Sequence, residues 1–122
     1  VMADRPPAFS RIAPDRVDFV RWSPGDEVEA LRGMHVGLMP LPDDAWARGK
    51  CSYKMLLYMA CGVPVVVSPV GMNVEVAARG DVGFLASREA EWVDALLARI
   101  DDPSGASRRG SAGRDVVLTH YA

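Results

Sequence analysis

The chain has 122 residues, of which 49% are apolar and 25% charged, and its formal net charge is −2; it therefore reads as one ordinary globular domain or part of one. That balance argues against general nucleic-acid or membrane-surface binding, which favours a basic excess. No apolar run reaches the roughly 20 residues of a membrane helix, and an opening that contains Asp4, Arg5, Pro6 and Pro7 does not read as a signal peptide.

Val1 precedes Met2 and the pattern starts abruptly, so truncation at the N-terminus is expected. Pro6, Pro7 and Pro14 break regular structure, and residues 1–16 read as a loop or a frayed remnant. Val17 to Val20 is a short strand candidate. In Ser23-Pro24-Gly25-Asp26 a cap, a proline suited to the first helical position and an early carboxylate announce a helix, which Gly33 stops. Met34 to Leu41 reads as a second buried strand ending at Pro40, followed by a polar loop, 42–49, that carries Trp46. The strands near 17–20, 35–39 and 63–67 are expected in one sheet.

The chain is organised around Lys50 to Asn73. Ser52 to Cys61 is an apolar helix without Gly or Pro. Gly62 suits the left-handed position that ends it, and Pro64 cannot continue it. Val63 to Val67 is β-branched without alternation, the pattern of a strand buried on both faces. Helix, corner and buried strand make half of a parallel α/β unit. Ser68-Pro69-Val70-Gly71 then leaves the carboxyl end of the strand, where open α/β sheets bind ligands.

Beyond it, Val74 to Arg79 reads as a short helix closed by Gly80, and Val82 to Ala86 as an edge strand. Ser87 can cap a helix over 88–100 whose apolar face is Trp92, Val93, Leu96, Leu97 and Ile100. A weaker helix, interrupted by Gly110 and Gly113, closes the chain from about Gly105 to Tyr121. Cys51 and Cys61, if both helical, lie about 15 Å apart along the axis, too far for a disulfide. They read as small buried hydrophobes and suit a reducing cytoplasm.

The chemistry concentrates on two loops, 40–50 and 68–73, which leave neighbouring strands and each enter a helix. Amides at helix starts bind anions, phosphate above all. Lys50 and Lys54 stand one turn apart and either face that mouth or are merely solvated. Ser52 can add a hydroxyl, and Gly71 can let backbone approach a ligand closely. Glu75 either holds a ligand hydroxyl or stabilises its helix start. His35 and His120 lack informative partners, and Asp43-Asp44 reads as a loop face. Trp46 either stacks on a base or sugar or, the commoner use of a tryptophan, packs.

The order of residues says more than the spacing. Lys50-Cys51-Ser52-Tyr53-Lys54-Met55-Leu56-Leu57-Tyr58-Met59-Ala60-Cys61-Gly62-Val63-Pro64-Val65-Val66 resembles the donor-binding motif of family 4 (group 1) glycosyltransferases. Ser68 to Val76, Gly80, Gly83-Phe84-Leu85 and the closing order of Trp92, Asp102-Pro103, Gly113-Arg114 and Tyr121 are similar to it too. The likeness covers about residues 17–121. It implies the α/β, parallel Rossmann-like sheet with flanking helices of a GT-B enzyme, 1–122 being a single, truncated C-terminal domain. It also implies a nucleotide-sugar donor as substrate, no cofactor, no metal, and retention at the transferred sugar. The acceptor domain would precede this chain, and any membrane association would belong to the intact parent. Two glutamates of the usual motif fall at Gly49 and Leu57, and the later one normally holds the donor ribose. A subgroup with Lys-Cys-x-x-Lys at this point looks closer, with Lys50 and Lys54 facing donor phosphates.

The expected function is the donor side of a cytoplasmic, hexosyltransferase-type enzyme, with Lys50, Ser52, Lys54, Gly71, Asn73 and Glu75 facing the donor and no catalytic residue assigned. The piece alone is expected to be inactive and, with a sheet edge exposed, dimeric. A non-catalytic nucleotide- or phosphate-binding module and an assembly module on the same fold are the alternatives.

Overall fold

In the computed structural model, which describes residues 1–49 and 52–122, the chain divides into two compact units, 1–33 and 34–122. In the first, β1 (Met2–Ala3) pairs in parallel with β2 (Val20–Arg21), Met2 opposite Val20. The strand expected near 17–20 therefore belongs to a two-stranded sheet with β1, not to the sheet of 37–39 and 65–67. The prolines at 6, 7 and 14 interrupt the chain only beyond Ala3: Met2 precedes them and keeps a pairable backbone. Helix α1 (Glu27–Arg32) starts later than its proline suggests. Ser23 Oγ donates to Asp26 Oδ2 (2.8 Å) and the Ser23 carbonyl accepts from Asp26 N (3.3 Å), so 23–26 forms a turn that leads into the helix.

The second unit holds a parallel sheet of β3 (Gly37–Met39), β4 (Val65–Val67) and β5 (Gly83–Leu85), in that order, with Gly37 opposite Val65 and Val65 opposite Gly83. β4 is central and buried throughout, which is why its sequence does not alternate. β3 is an outer strand, and its middle residue, Leu38, is exposed. Val66 packs with Ala86 and Ala95 on one face of the sheet, joined by Val36, Phe84 and Trp92.

Helix α2 (Ala45–Arg48) lies within the stretch expected to be loop; Asp44 caps it by accepting from Ala47 N at 2.8 Å. Helix α3 (Tyr53–Ala60) buries Met55, Tyr58 and Met59 and ends at Gly62, whose φ of 74° is the left-handed corner read from the sequence. Tyr58 stacks so close over Gly37 that a Cβ there would clash with its ring.

Helix α4 (Met72–Ala77) follows the loop after β4, and α5 (Glu89–Asp101) follows β5. The α5 start is capped by Glu91, whose Oε1 accepts from Arg88 N (2.9 Å) and Ser87 N (3.3 Å), rather than by the Ser87 hydroxyl. Its apolar face is only partly used: Trp92 and Ala95 pack inward, while Val93, Leu97 and Ile100 are exposed. Helix α6 (Pro103–His120) is continuous through Gly105, Gly110 and Gly113, all buried. A Cβ on Gly110 would stand 2.1 Å from the Gly62 carbonyl oxygen, and one on Gly113 would stand 3.2 Å from Met59 Cγ. These glycines let α6 lie against α3 and the corner after it; the packing gained offsets the weakness in helix propensity. Arg109 ties α6 to the β5 side, its guanidinium 4.6 Å over the Phe84 ring and its Nε donating to Asp81 at 3.2 Å.

Candidate functional site

Two adjacent parallel strands release their chains at the same edge of the sheet: Pro40-Leu41 after β3 and Ser68-Pro69-Val70 after β4. A buried chain of side-chain hydrogen bonds ties these segments to the start of α3. Ser52 Oγ donates to Asn73 Oδ1 (2.6 Å), Asn73 Nδ2 donates to the Ser68 carbonyl (3.0 Å), and Ser68 Oγ accepts from Leu41 N (2.8 Å). Ser52 and Asn73 are each 1% exposed. Burial of two polar side chains is tolerated because each satisfies the other. Ser52 also holds φ 56°, ψ 26°, the left-handed region a serine rarely adopts; such a residue stores strain of about 1–3 kcal/mol that its surroundings must hold in place.

In front of this brace lies a cleft of about 580 Å³, lined by Leu38, Met39, Pro40, Leu41, Gly49, Tyr53 and Lys54. The brace fixes Leu41 on one wall and the start of α3, which carries Tyr53 and Lys54, on the other. Tyr53 is exposed, and among these residues only Lys54 brings a charge to the cleft. On α2 beyond Gly49, Trp46 is 79% exposed, so its ring is not a packing element.

The six residues expected to face a donor separate. Lys54 lines the cleft. Ser52 and Asn73 lie behind it, each engaged by the other. Gly71 needs to be glycine, with φ 57° and ψ −134°, but the group it lets approach is the Arg48 backbone: a Cβ would stand 2.8 Å from the Arg48 carbonyl oxygen. Glu75, in the first turn of α4, pairs with Arg79 at 3.5 Å, an exposed pair of small energetic consequence. Arg79 in turn donates to Tyr121 Oη at 3.0 Å and lies 3.2 Å from His120 Nδ1. Lys50, like Cys51, lies outside the described residues.

Asp43 and Asp44 have separate duties. Asp44 caps α2, and Asp43 accepts from Arg48 Nε at 2.8 Å. That bond and the guanidinium charge hold the Asp43 carboxyl below its ordinary range. Burial pushes the Tyr58 phenol up. Among the described residues no group of three or more His, Cys, Asp or Glu side chains could hold a metal, and no helix is long and apolar enough to cross a membrane. Ser68 and the pairing of Ser52 with Asn73 escape a linear reading, because the partners are 21 residues apart. The one local signal is a serine at the end of a buried strand, where a hydroxyl can accept from a neighbouring loop.

Comparison with known proteins gives this edge a context. The structure of sucrose-phosphate synthase from Thermosynechococcus elongatus is similar, with a TM-score of 0.66 and 24% identity, over 87% of this chain and 26% of that one. The chain thus spans about a quarter of that protein's length, and at this identity the likeness is one of fold. No curated protein matches the chain. The family model described as Glycosyl transferases group 1 matches residues 3–102. A match of that extent, on a parallel Rossmann-like sheet flanked by helices, establishes that the chain belongs to the group 1 glycosyltransferase family.

Proposed function

We propose that this chain is the nucleotide-sugar side of a glycosyltransferase, a C-terminal GT-B domain working with an acceptor domain elsewhere in the intact protein. The reaction is transfer of a sugar, hexosyl in type and with retention of configuration, to an acceptor, in the cytoplasm. The observation that carries this reading is the braced cleft at the carboxyl edge of β3 and β4, with Lys54 on its wall. Ligands of open α/β sheets bind at this edge. A lysine and the amides at the start of α3 suit a diphosphate, and they stabilise the negative charge that grows on it as the glycosidic bond breaks. Lys50, four residues before Lys54 in the sequence, is proposed as the second phosphate-facing cation. Gly71, in the second loop, and Glu75, in the first turn of α4, border the donor side. Ser52 and Asn73 are positioning residues, acting through the two loops they tie. Without an acceptor domain the piece alone does not turn over.

A second reading, a non-catalytic nucleotide-binding module, is favoured by one observation. Leu57 is half-buried on α3 and Gly49 lines the cleft without a side chain, where the family motif has glutamates. Ribose recognition by carboxylate is therefore replaced or lost.

A thermal-shift series with UDP, GDP, their sugars and plain phosphate tests both. The donor reading expects a base-dependent rise and binding weakened about tenfold, or about 1.4 kcal/mol, in Lys54→Ala. Absence of any shift in the full-length protein refutes it. Binding by the full-length protein without donor hydrolysis or transfer selects the second reading.

A further inference from the structure

At the opposite edge of the sheet, where β3 and β4 begin, a separate recess of about 250 Å³ is lined by Arg99, His35, Ser107, Ser111, Met34 and the 62–64 corner, with Pro103 and Ala106 at its rim. Every polar side chain in this lining can donate a hydrogen bond, and none is a carboxylate. Arg99 Nε donates to the His35 carbonyl at 2.8 Å, which fixes the plane of its guanidinium. Among the described residues its two terminal nitrogens meet no carboxylate, so the fork is available to an anion; unlike the other arginines without an ion pair, its Nε is tethered to backbone at the recess. Ser107 and Ser111 stand one turn apart on α6, so their hydroxyls share a face. Pro103, at the rim, opens that 18-residue helix, whose first turn is capped by the Asp102 carboxylate accepting from Gly105 N at 3.0 Å, so the anion site is carried by the side chains and not by the helix end.

We propose that this recess binds a phosphate group, the guanidinium fork of Arg99 taking two of its oxygens and the Ser107 and Ser111 hydroxyls the others. The chemistry is shared by inorganic phosphate and by the phosphate of a small monoester such as a sugar phosphate, and the volume admits either. The site is distinct from the carboxyl-edge cleft, and its argument uses nothing of the donor reading. Helix α3 joins the two places: Tyr53 and Lys54 at its start line the cleft, and Gly62 just past its end lines the recess.

The test is a ¹H–¹⁵N chemical-shift titration of the whole chain with inorganic phosphate at constant ionic strength, with chloride as control and a hexose 6-phosphate as a second arm. Saturable shifts at His35, Ser107, Ser111 and Arg99 Nε are expected. The double variant Ser107→Ala/Ser111→Ala, which leaves the Arg99 tether intact, should weaken binding about threefold or more. Arg99→Gln should weaken it about tenfold or more, and Lys54→Ala should leave it unchanged. Tighter binding of the hexose phosphate identifies a monoester as the ligand, and equal binding identifies phosphate itself. Shifts that do not saturate, or equal affinity in the serine double variant and the parent, overturn the proposal.

Discussion

Asn73→Ala tests the brace that holds the carboxyl-edge cleft. The substitution removes both hydrogen bonds made by the Asn73 amide, one from Ser52 Oγ at 2.6 Å and one to the Ser68 carbonyl at 3.0 Å. The two partners are not equally harmed. The Ser68 carbonyl still accepts from Val70 N at 2.8 Å, so its loss is that of a net hydrogen bond, about 1 kcal/mol. Ser52, 1% exposed, has its hydroxyl left buried without this acceptor, at about 1–3 kcal/mol. Alanine recovers about 0.5 kcal/mol in α4 through its higher helix propensity. The expected net loss is about 1.5–3.5 kcal/mol, read as a shift of the urea midpoint by far-UV circular dichroism. Ser52→Gly removes the stranded hydroxyl and also relieves a left-handed serine. In a double-mutant cycle the pair should therefore couple by about 1 kcal/mol or more. Asn73→Asp should be at least as harmful as Asn73→Ala, because it buries a carboxylate oxygen against the Ser68 carbonyl oxygen, which it cannot donate to. A cost below about 1 kcal/mol with no coupling would refute the claim that this chain of bonds organises the loops.

Three further outcomes are expected from other parts of the molecule. Gly110→Ala should destabilise by about 1–2 kcal/mol: overpacking against the Gly62 carbonyl exceeds the roughly 1 kcal/mol gained in helix propensity. Gly113→Ala meets the buried Met59 at Cγ (3.2 Å), Cβ (3.3 Å) and Cα (3.6 Å), a squeeze mild enough to be offset by the roughly 1 kcal/mol of helix propensity, and should stay within about 1 kcal/mol of the parent in the same urea experiment. Glu91 is held below its ordinary value of about 4.5, first by the Arg88 and Ser87 amides it caps. A depressed carboxyl stabilises the fold above its unfolded value, and that contribution fades as the pH falls through the folded one. Glu91→Gln should therefore lower stability at neutral pH and flatten its dependence below about pH 4.5, as followed by thermal melts across that range.

Legibility in the sequence tracks whether a feature is local. The α3–Gly62–β4 corner is readable because helix formers, a left-handed glycine and an apolar β-branched run all lie within a few residues. The parallel sheet follows from two such runs and the helices between them. Pairing of Met2–Ala3 with Val20–Arg21 is not readable, because two-residue strands carry no periodic signal and their partner is chosen across an irregular loop. Apolar spacing shows that α5 has a hydrophobic side. It does not show that the neighbouring elements cover Trp92 and Ala95 and leave Val93, Leu97 and Ile100 exposed. Glycines within α6 weaken a helix read by itself and support one read against its neighbour. At the candidate site, residue types do not separate positions: a short polar side chain suits a phosphate and a buried brace equally, and only the packing shows that Lys54 lines the cleft while Ser52 and Asn73 bond to each other.

That separation changes what the motif means in this chain. Were Ser52 and Asn73 ligand contacts, each would have to leave a saturated, buried partner to reach a donor, at about the cost of an unsatisfied polar group. As a brace they carry no such penalty, and the strain at Ser52 becomes intelligible: the left-handed turn aims the start of α3, with Tyr53 and Lys54, at the cleft. Gly71 works in the same way, letting the second loop close on the Arg48 backbone at the end of α2. The loops are thus held by uncharged contacts that exist without a ligand, which keeps the entropy cost of ordering them out of the binding step. Charge at the cleft wall is left to lysine, and position 57 offers no carboxylate for a ribose. On the proposed donor reading, the grip is on the diphosphate, and affinity should follow phosphate number more closely than the ribose hydroxyls.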